Sequence, residues 1–368
     1  MSELRKVHLD RSQSLNSKGE GGHNRWHYNI EPLLKVDPEQ SVSLDVRDGL
    51  DGQITTTSTP RDLASLNLDV THPMTGPIYV NGAEPGDLLT VEILSITTAD
   101  DGWTFVMPGM GLLADRLPGP YLIHWGISDG YATSQDLPGV MVPGRPFLGV
   151  VGVAPSPTRL AQILAREGEL ARSGFPVRLP KLAGAIPSTI EMGQEGLRSA
   201  PPREIGGNLD IRHMGDGTRL TLPVDVAGAL CSVGDMHFAQ GDGEVCGTAI
   251  EVSGSVDLIF HITKSKHVTW RPTNPYVEFV QTKTEQTRSY VGTVGYPLGR
   301  DGSQSFMDLH LAARRAIEEM ITYVCAAHKL SEYQAYLLLS ATCNLQISQM
   351  VDCPNAIVLA TLPTDIFV

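Results

Sequence analysis

The sequence predicts a mainly β protein with α/β parts that ends in a helical α+β segment. Three observations carry that prediction. First, 37 glycines and 25 prolines stand against only 6% aromatic residues, a balance that favours short strands and tight turns over a helical bundle. Second, SVSLDV at 41–46 sets Val42, Leu44 and Val46 against Ser41, Ser43 and Asp45, the period of a half-buried strand. Third, the longest helical pattern comes late, between Met307 and Cys325.

Residues 1–22 read as a polar arm, poorly ordered or used in assembly. Residues 23–172 read as an N-terminal β part. Within it, Ile78–Val80 and Leu88–Ile96 flank the turn AEPGD and predict a hairpin. Gly-Pro turns are dense from Trp103 to Pro155, as in short strands of a barrel or sandwich, and Leu160–Arg172 has helical spacing. Residues 173–205 read as a connecting segment, a long loop on the surface or reaching a neighbour. Residues 206–303 form a central β part, with strands at Arg219–Val226 and Ala249–Thr263. Residues 304–368 hold the C-terminal helices and a closing strand. Leu309, Ala313, Ala316, Ile317, Met320, Ile321 and Val324 follow the spacing of an amphipathic helix, and Ser331 with Gln334 makes a capping box that opens another.

A formal charge of −13 argues against nucleic acid and anionic membrane surfaces as partners, since both are polyanions. No run approaches the ~18 apolar residues of a membrane span, and the N-terminal stretch has no apolar segment of a signal peptide. Five cysteines without a CxxC pair suit a reducing cytoplasm, the expected location.

The stretch Gly206–Gly254 concentrates chemistry: Asp210, Asp235, Asp242, Glu244 and Glu251, with His213, His237 and Gln240. Asp235 and His237 are two apart, which on an extended strand puts both on one face. Such a pair can bind a divalent metal, act as a base with its orienting partner, or form only a hydrogen bond. The spacing is not that of a zinc finger, HExxH or an EF-hand.

Blocks spread over nearly the whole chain resemble the acetamidase/formamidase family, and its formamidase branch most closely. They are GHNRWH at Gly22–His27, DGQI at Asp51–Ile54, GPIYVNGAEPGD at Gly76–Asp87, GYATS at Gly130–Ser134 and GVAPS at Gly152–Ser156. GGNLDI, SVGDMHFAQGDGE and AIE ending at Glu251 follow, and then AYLLLSA and VDCPNA. The resemblance implies a β-sandwich combined with a small β-barrel and α/β pieces. It implies a homo-oligomer, a trimer or a multiple of one. The implied activity is hydrolysis of the C–N bond of a small linear amide, formamide or acetamide in type, to carboxylate and ammonia at a divalent metal. The wider family adds γ-lactams, which are cyclic amides, and the alternative in a different class is a non-catalytic β-sandwich binding or assembly protein. Departures fall at Asn81, at His213, in the shortened VCGT run after Glu244 and in Asp101–Gly126. They bear on substrate more than on reaction class.

An amide needs an activated nucleophile, a stabilised oxyanion and an acid for the leaving amine. Asp235 and His237 are the first choice as metal ligands, with Asp210 as a third ligand or supporting carboxylate. Mixed O and N donors put zinc first, with manganese, iron and calcium open. Glu251 is the expected general base, and Asp235 and His237 complete the catalytic set. His72, Arg25, Trp26 and Gln240 are expected to bind substrate, His72 also being able to serve as ligand or oxyanion donor. Cys246 offers a thiolate nucleophile as an alternative mechanism. Asp242 and Glu244 read as residues that end a turn.

Overall fold

Alternation decides how the first long strand lies. In Ser41–Val46, Val42, Leu44 and Val46 are buried while the residues between them are partly exposed. The computed structural model describes the chain except residues 1–4, 11–12, 16–17 and 281–287. A six-stranded sheet runs in the order Arg5–Val7, Ser41–Val46, Gly254–Thr263, Leu88–Thr98, Arg219–Pro223, Tyr276–Glu278. Arg5–Val7, within the stretch read as a polar arm, thus forms an edge strand, parallel to Val42–Leu44.

A ten-stranded sheet runs Val142–Pro143, Tyr131–Thr133, Tyr121–Ser128, Asp101–Val106, Ile250–Val252, Cys231–Ala239, Phe147–Gly152, Gly206–Asn208. Met74–Val80 also pairs with Cys231–Ala239, and Leu34–Val36 pairs with Met74–Val80. Side chains of both sheets, such as Leu44, Val91 and Leu258 from one and Val150, Val233 and Met236 from the other, belong to a single apolar core. That is the arrangement of a sandwich. The fold is thus mainly β, with several sheets and few helices, as the sequence predicts.

The hairpin expected around AEPGD does not form. Met74–Val80 enters the ten-stranded sheet and Leu88–Thr98 the six-stranded one. Burial explains the split. Met74–Val80 is buried at nearly every position, which demands neighbours on both faces, whereas Leu88–Thr98 is exposed at intervals. The chain changes layer again at Ser253, the single residue between Ile250–Val252 and Gly254–Thr263.

Four α-helices are present among the described residues. Helix α1 (Pro157–Arg172) starts at Ser156, whose hydroxyl accepts from Arg159 N–H. Helix α2 (Ile190–Gln194) lies in the segment read as a loop, which also supplies Leu197–Arg198 to pair with Arg25–Trp26. Helix α3 (Leu309–His328) packs on a three-stranded sheet of Tyr290–Gly295, Ile357–Pro363 and Asn344–Gln349. Helix α4 (Glu332–Thr342) opens on the expected capping box and is buried from Ala335 to Thr342. It underlies the 241–248 loop. Tyr336 donates to Val245 O, and Ser340 accepts from Cys246 N–H at 3.1 Å and donates to Thr248 O at 2.7 Å.

Candidate active site

The Cys231–Ala239 strand is buried at all nine positions, so a charged side chain on it must find partners inside the protein. Asp235 takes a left-handed φ of 56°, and register shifts flank it on both sides. The carboxylate and the His237 ring nevertheless meet, Oδ2 lying 3.4 Å from Nε2. On the neighbouring strand Glu251 pairs directly across from His237 and brings Oε2 to 3.2 Å from the same nitrogen. Its Oε1 accepts from Ala249 N–H at 3.0 Å.

Two further carboxylates close the group. Asp210 follows the Gly206–Asn208 strand with φ 46°, and Asn208 Nδ2 donates to its Oδ2 at 2.8 Å. Glu244 comes from the loop anchored on α4, with φ 42°. Donor atoms of Asp235, His237 and Glu251 lie within 4.8 Å of one another, as do those of Asp210, His237 and Glu244. His72 approaches from the start of the Met74–Val80 strand, its Nε2 4.0 Å from Asp235 Oδ2. Two glycines leave room for the carboxylates. A Cβ on Gly49 would lie 2.5 Å from Asp235 Oδ1, and one on Gly149 would lie 2.7 Å from both Asp210 Oδ1 and Asp235 Oδ2.

The electrostatics follow from crowding and burial. Burial pushes Asp210 and Glu251 up to about 7, the negative charge of Asp235 adding to it and His237 opposing. Glu244 is also pushed well up, by burial and then by Asp210. Burial would raise Asp235 too, but His72 and His237 outweigh it and hold the carboxyl below the usual range. Burial would lower His237, but Glu251 and Asp235 outweigh it and raise the ring well above its ordinary value.

The donor set fits a divalent cation. Gln240 Nε2 donates to Asp210 O at 3.1 Å, which turns its Oε1 toward His237 Nδ1 at 2.9 Å. That contact assigns the proton to Nδ1 and leaves a lone pair on Nε2. Nε2, Glu251 Oε2 and Asp210 Oδ1 are all buried without a hydrogen-bond partner. A lone pair facing carboxylate oxygens calls for a positive charge between them, either a proton or a metal ion.

Beside these groups is a cavity of about 160 Å³. Leu50, Leu68, Trp103, Phe105 and Met110 make its apolar side, and His72, Asp235, Glu244 and Glu251 its polar floor. A cavity of roughly 150 Å³ holds a benzene-sized molecule.

The structure brings together Asp210, Asp235, His237, Glu251 and His72. Three of the residues expected to bind substrate stand elsewhere. Arg25 and Trp26 are fully buried and do not line the cavity. The Arg25 guanidinium is consumed by Asn24 and by main-chain carbonyls including Lys181 O and Ala183 O. Gln240 also lies off the cavity, and its amide is spent on His237 and Asp210. Glu244, read as a turn residue, is instead part of the cluster, and only its place in an acidic glycine-rich turn hinted at that. His213 is away from it, stacked on Phe279 at 4.2 Å. Burial pushes the Cys246 thiol up to about 11, which opposes a thiolate nucleophile.

A family model described as the Acetamidase/Formamidase family matches residues 8–368. The chain is 34% identical to a formamidase of Methylophilus methylotrophus, over 94% of this chain and 89% of that protein. It is 34% identical to an acetamidase of Mycolicibacterium smegmatis, over 91% and 88%. Among solved structures, a gamma lactamase from Delftia acidovorans superposes with a TM-score of 0.91 at 32% identity, covering 99% of this chain and 93% of that one. An acetamidase from Bacillus halodurans gives 0.56 at 26% identity, covering 95% and 97%.

Proposed function

The chain belongs to the acetamidase/formamidase family and is a hydrolase of non-peptide C–N bonds, and from that membership we propose that its cavity hydrolyses a small linear amide of the formamide or acetamide type. The products are a carboxylate and ammonia. The observation that carries this reading is the meeting of three orphaned donor atoms, on His237, Glu251 and Asp210, beside a small apolar cavity.

Asp235, His237 and Asp210 are the residues that would hold a divalent cation, and their mixed oxygen and nitrogen donors favour zinc. Such an ion, when bound, supplies Lewis acidity to the amide carbonyl and lowers the pKa of water. Glu251 Oε2, free of other partners, takes the proton of the attacking water and returns it to the departing nitrogen. His72, which lines the cavity with Nε2 4.0 Å from Asp235 Oδ2, is placed to donate to the developing oxyanion. The protonated nitrogen then leaves as the C–N bond breaks.

A γ-lactam is the second reading. The TM-score of 0.91 to a gamma lactamase favours it, and the apolar side of the cavity exceeds what formamide alone requires. Ring opening by the same steps would yield an amino acid and no free ammonia.

Exposed Phe306, Ile347 and Val351 support a homo-oligomer, a trimer or a multiple of one, which light scattering after size exclusion tests. Five unpaired cysteines support a reducing compartment such as the cytoplasm. Among the described residues no helix is long and apolar enough to cross a membrane.

The test is ammonia release from formamide and acetamide, and ring opening of a γ-lactam, before and after chelation with zinc add-back. Turnover should fall on chelation and return with zinc, and Glu251→Gln should lower kcat by about 10² to 10⁴. Full turnover in thorough chelation would overturn the metal reading, and undiminished turnover by Glu251→Gln would overturn the base.

A further inference from the structure

One wall of the cavity is held in place by N-terminal chain that does not line it. After the Ser41–Val46 strand, the 48–53 loop turns back through two successive left-handed residues, Asp51 (φ 60°) and Gly52 (φ 73°). The Asp48 carboxylate shapes it, accepting from Leu50 N–H at 2.9 Å and Gly52 N–H at 3.0 Å. Within this loop Gly49 sits against Asp235 and Glu251, and Leu50 lines the cavity. A wall built on main chain at that distance must be held to a few tenths of an ångström.

Arg47 supplies the restraint. It is buried, and its guanidinium donates from Nη1 to Gln13 O at 2.5 Å and from Nη2 to Asp10 O at 3.1 Å. Nη1 also lies 3.1 Å from Asp51 Oδ1, while Asp51 Oδ2 accepts from Leu15 N–H at 2.8 Å. Just upstream in the strand, Asp45 Oδ2 accepts from Leu9 N–H at 3.0 Å. Leu15 is itself buried. Both ends of the loop's turn, Arg47 and Asp51, are thereby tied to the same stretch of N-terminal main chain. Buried charge-assisted bonds of this kind are roughly twice as strong as neutral ones, and removing one partner leaves the other charge uncompensated.

We propose that Arg47 is a positioning residue: by clasping Asp10, Gln13 and, through Asp51, Leu15, it fixes the Gly49–Leu50 wall against Asp235 and Glu251. The kinetic part of this inference rests on the amide-hydrolase reading of the cavity; the structural part does not. Arg47 touches no substrate and no reacting atom. It acts on the wall that does.

Two measurements on the full chain test it. The first is hydrogen–deuterium exchange of peptides covering residues 48–53 in wild type, Arg47→Ala and Arg47→Lys. Exchange should rise at least tenfold in Arg47→Ala, while peptides from the Leu88–Thr98 strand stay protected, and Arg47→Lys should fall between. The second is steady-state kinetics on the amide the wild type turns over. A displaced wall raises KM, by about tenfold within an overall loss in kcat/KM of up to 10², whereas a merely smaller folded fraction would lower kcat and leave KM unchanged. Unchanged exchange at 48–53 in Arg47→Ala overturns the inference, and so does an unchanged KM. Global loss of protection in Arg47→Ala moves the exchange comparison to Arg47→Lys, where unchanged exchange at 48–53 overturns it equally. A wild type that turns over no amide sinks the amidase reading alone, and exchange then decides the clasp.

Discussion

His237 and Glu251 stand directly opposite each other on neighbouring antiparallel strands, with Nε2 3.2 Å from Oε2. The ladder therefore sets one side of the imidazole toward the carboxylates and leaves only Nδ1 to orient it. Gln240 occupies that position. Replacing it by leucine removes the acceptor while nearly keeping the volume. Gln240→Leu should weaken zinc affinity about 10- to 100-fold, read by competition with a chromophoric chelator. Unaltered affinity would mean that packing against Phe147, 4.9 Å from the ring, orients His237 by itself.

Gly49 and Gly149 touch the carboxylates from opposite elements, and neither has a left-handed φ, so the cost of a side chain there is spatial. Gly49→Ala and Gly149→Ala should each destabilise the fold by about 1–3 kcal/mol and reduce metal content at equal protein concentration. Melting curves and elemental analysis check the two effects separately. A Gly149→Ala protein with full metal content would show that Asp210 and Asp235 can move aside without losing the ion.

Stability should fall with acid through His23. This ring is buried, bonded through Nδ1 to Arg25 O at 2.6 Å and through Nε2 to Ser232 Oγ at 2.7 Å, and burial lowers its pKa from 6.5 to about 4. Between those values the unfolded chain binds the proton and the folded chain does not, so stability rises with pH. The contribution is present above pH 6.5 and is lost as pH falls toward 4, reaching about 2 kcal/mol by pH 5. Denaturant unfolding of wild type and His23→Gln at pH 7.5 and 5 measures it. Equal losses in the two proteins would remove His23 as the cause.

Cys246 is buried, and its Sγ lies 3.5 Å from Phe105 O, Thr248 O and Thr248 Oγ1. Cys246→Ala should keep kcat within about twofold, and the wild type should resist thiol reagents as long as it stays folded. Loss of kcat in Cys246→Ala at undiminished folded content would return the thiol to the mechanism.

Much of this was legible where a local pattern decides the outcome. The capping box at Ser331 and Gln334, helix α3 and the Ser41–Val46 strand follow from periodicity, which reads only neighbours in the chain. Asp235 and His237 meet as their spacing of two suggests, although Asp235 itself is left-handed. What periodicity does not specify is which distant element arrives. Glu244 joins the cluster because α4, whose anchoring side chains lie 91 to 94 residues beyond the loop residues they bond, holds its loop. The Met74–Val80 strand leaves its sequence neighbour because its burial on both faces needs two partners. Arg25 and Trp26 carried a family block, and a block of matching residues does not distinguish a packed guanidinium from one that meets a ligand.

Ser253 alone separates the strand bearing Glu251 from the strand that continues into the other layer, and its hydroxyl accepts the main-chain N–H of Asp48. Two stacked sheets can ordinarily slide past each other by small shears at modest cost. Here such a glide would pull the glutamate with it. The two layers are therefore pinned to each other beside Glu251, and sliding between them is resisted at that end of the fold.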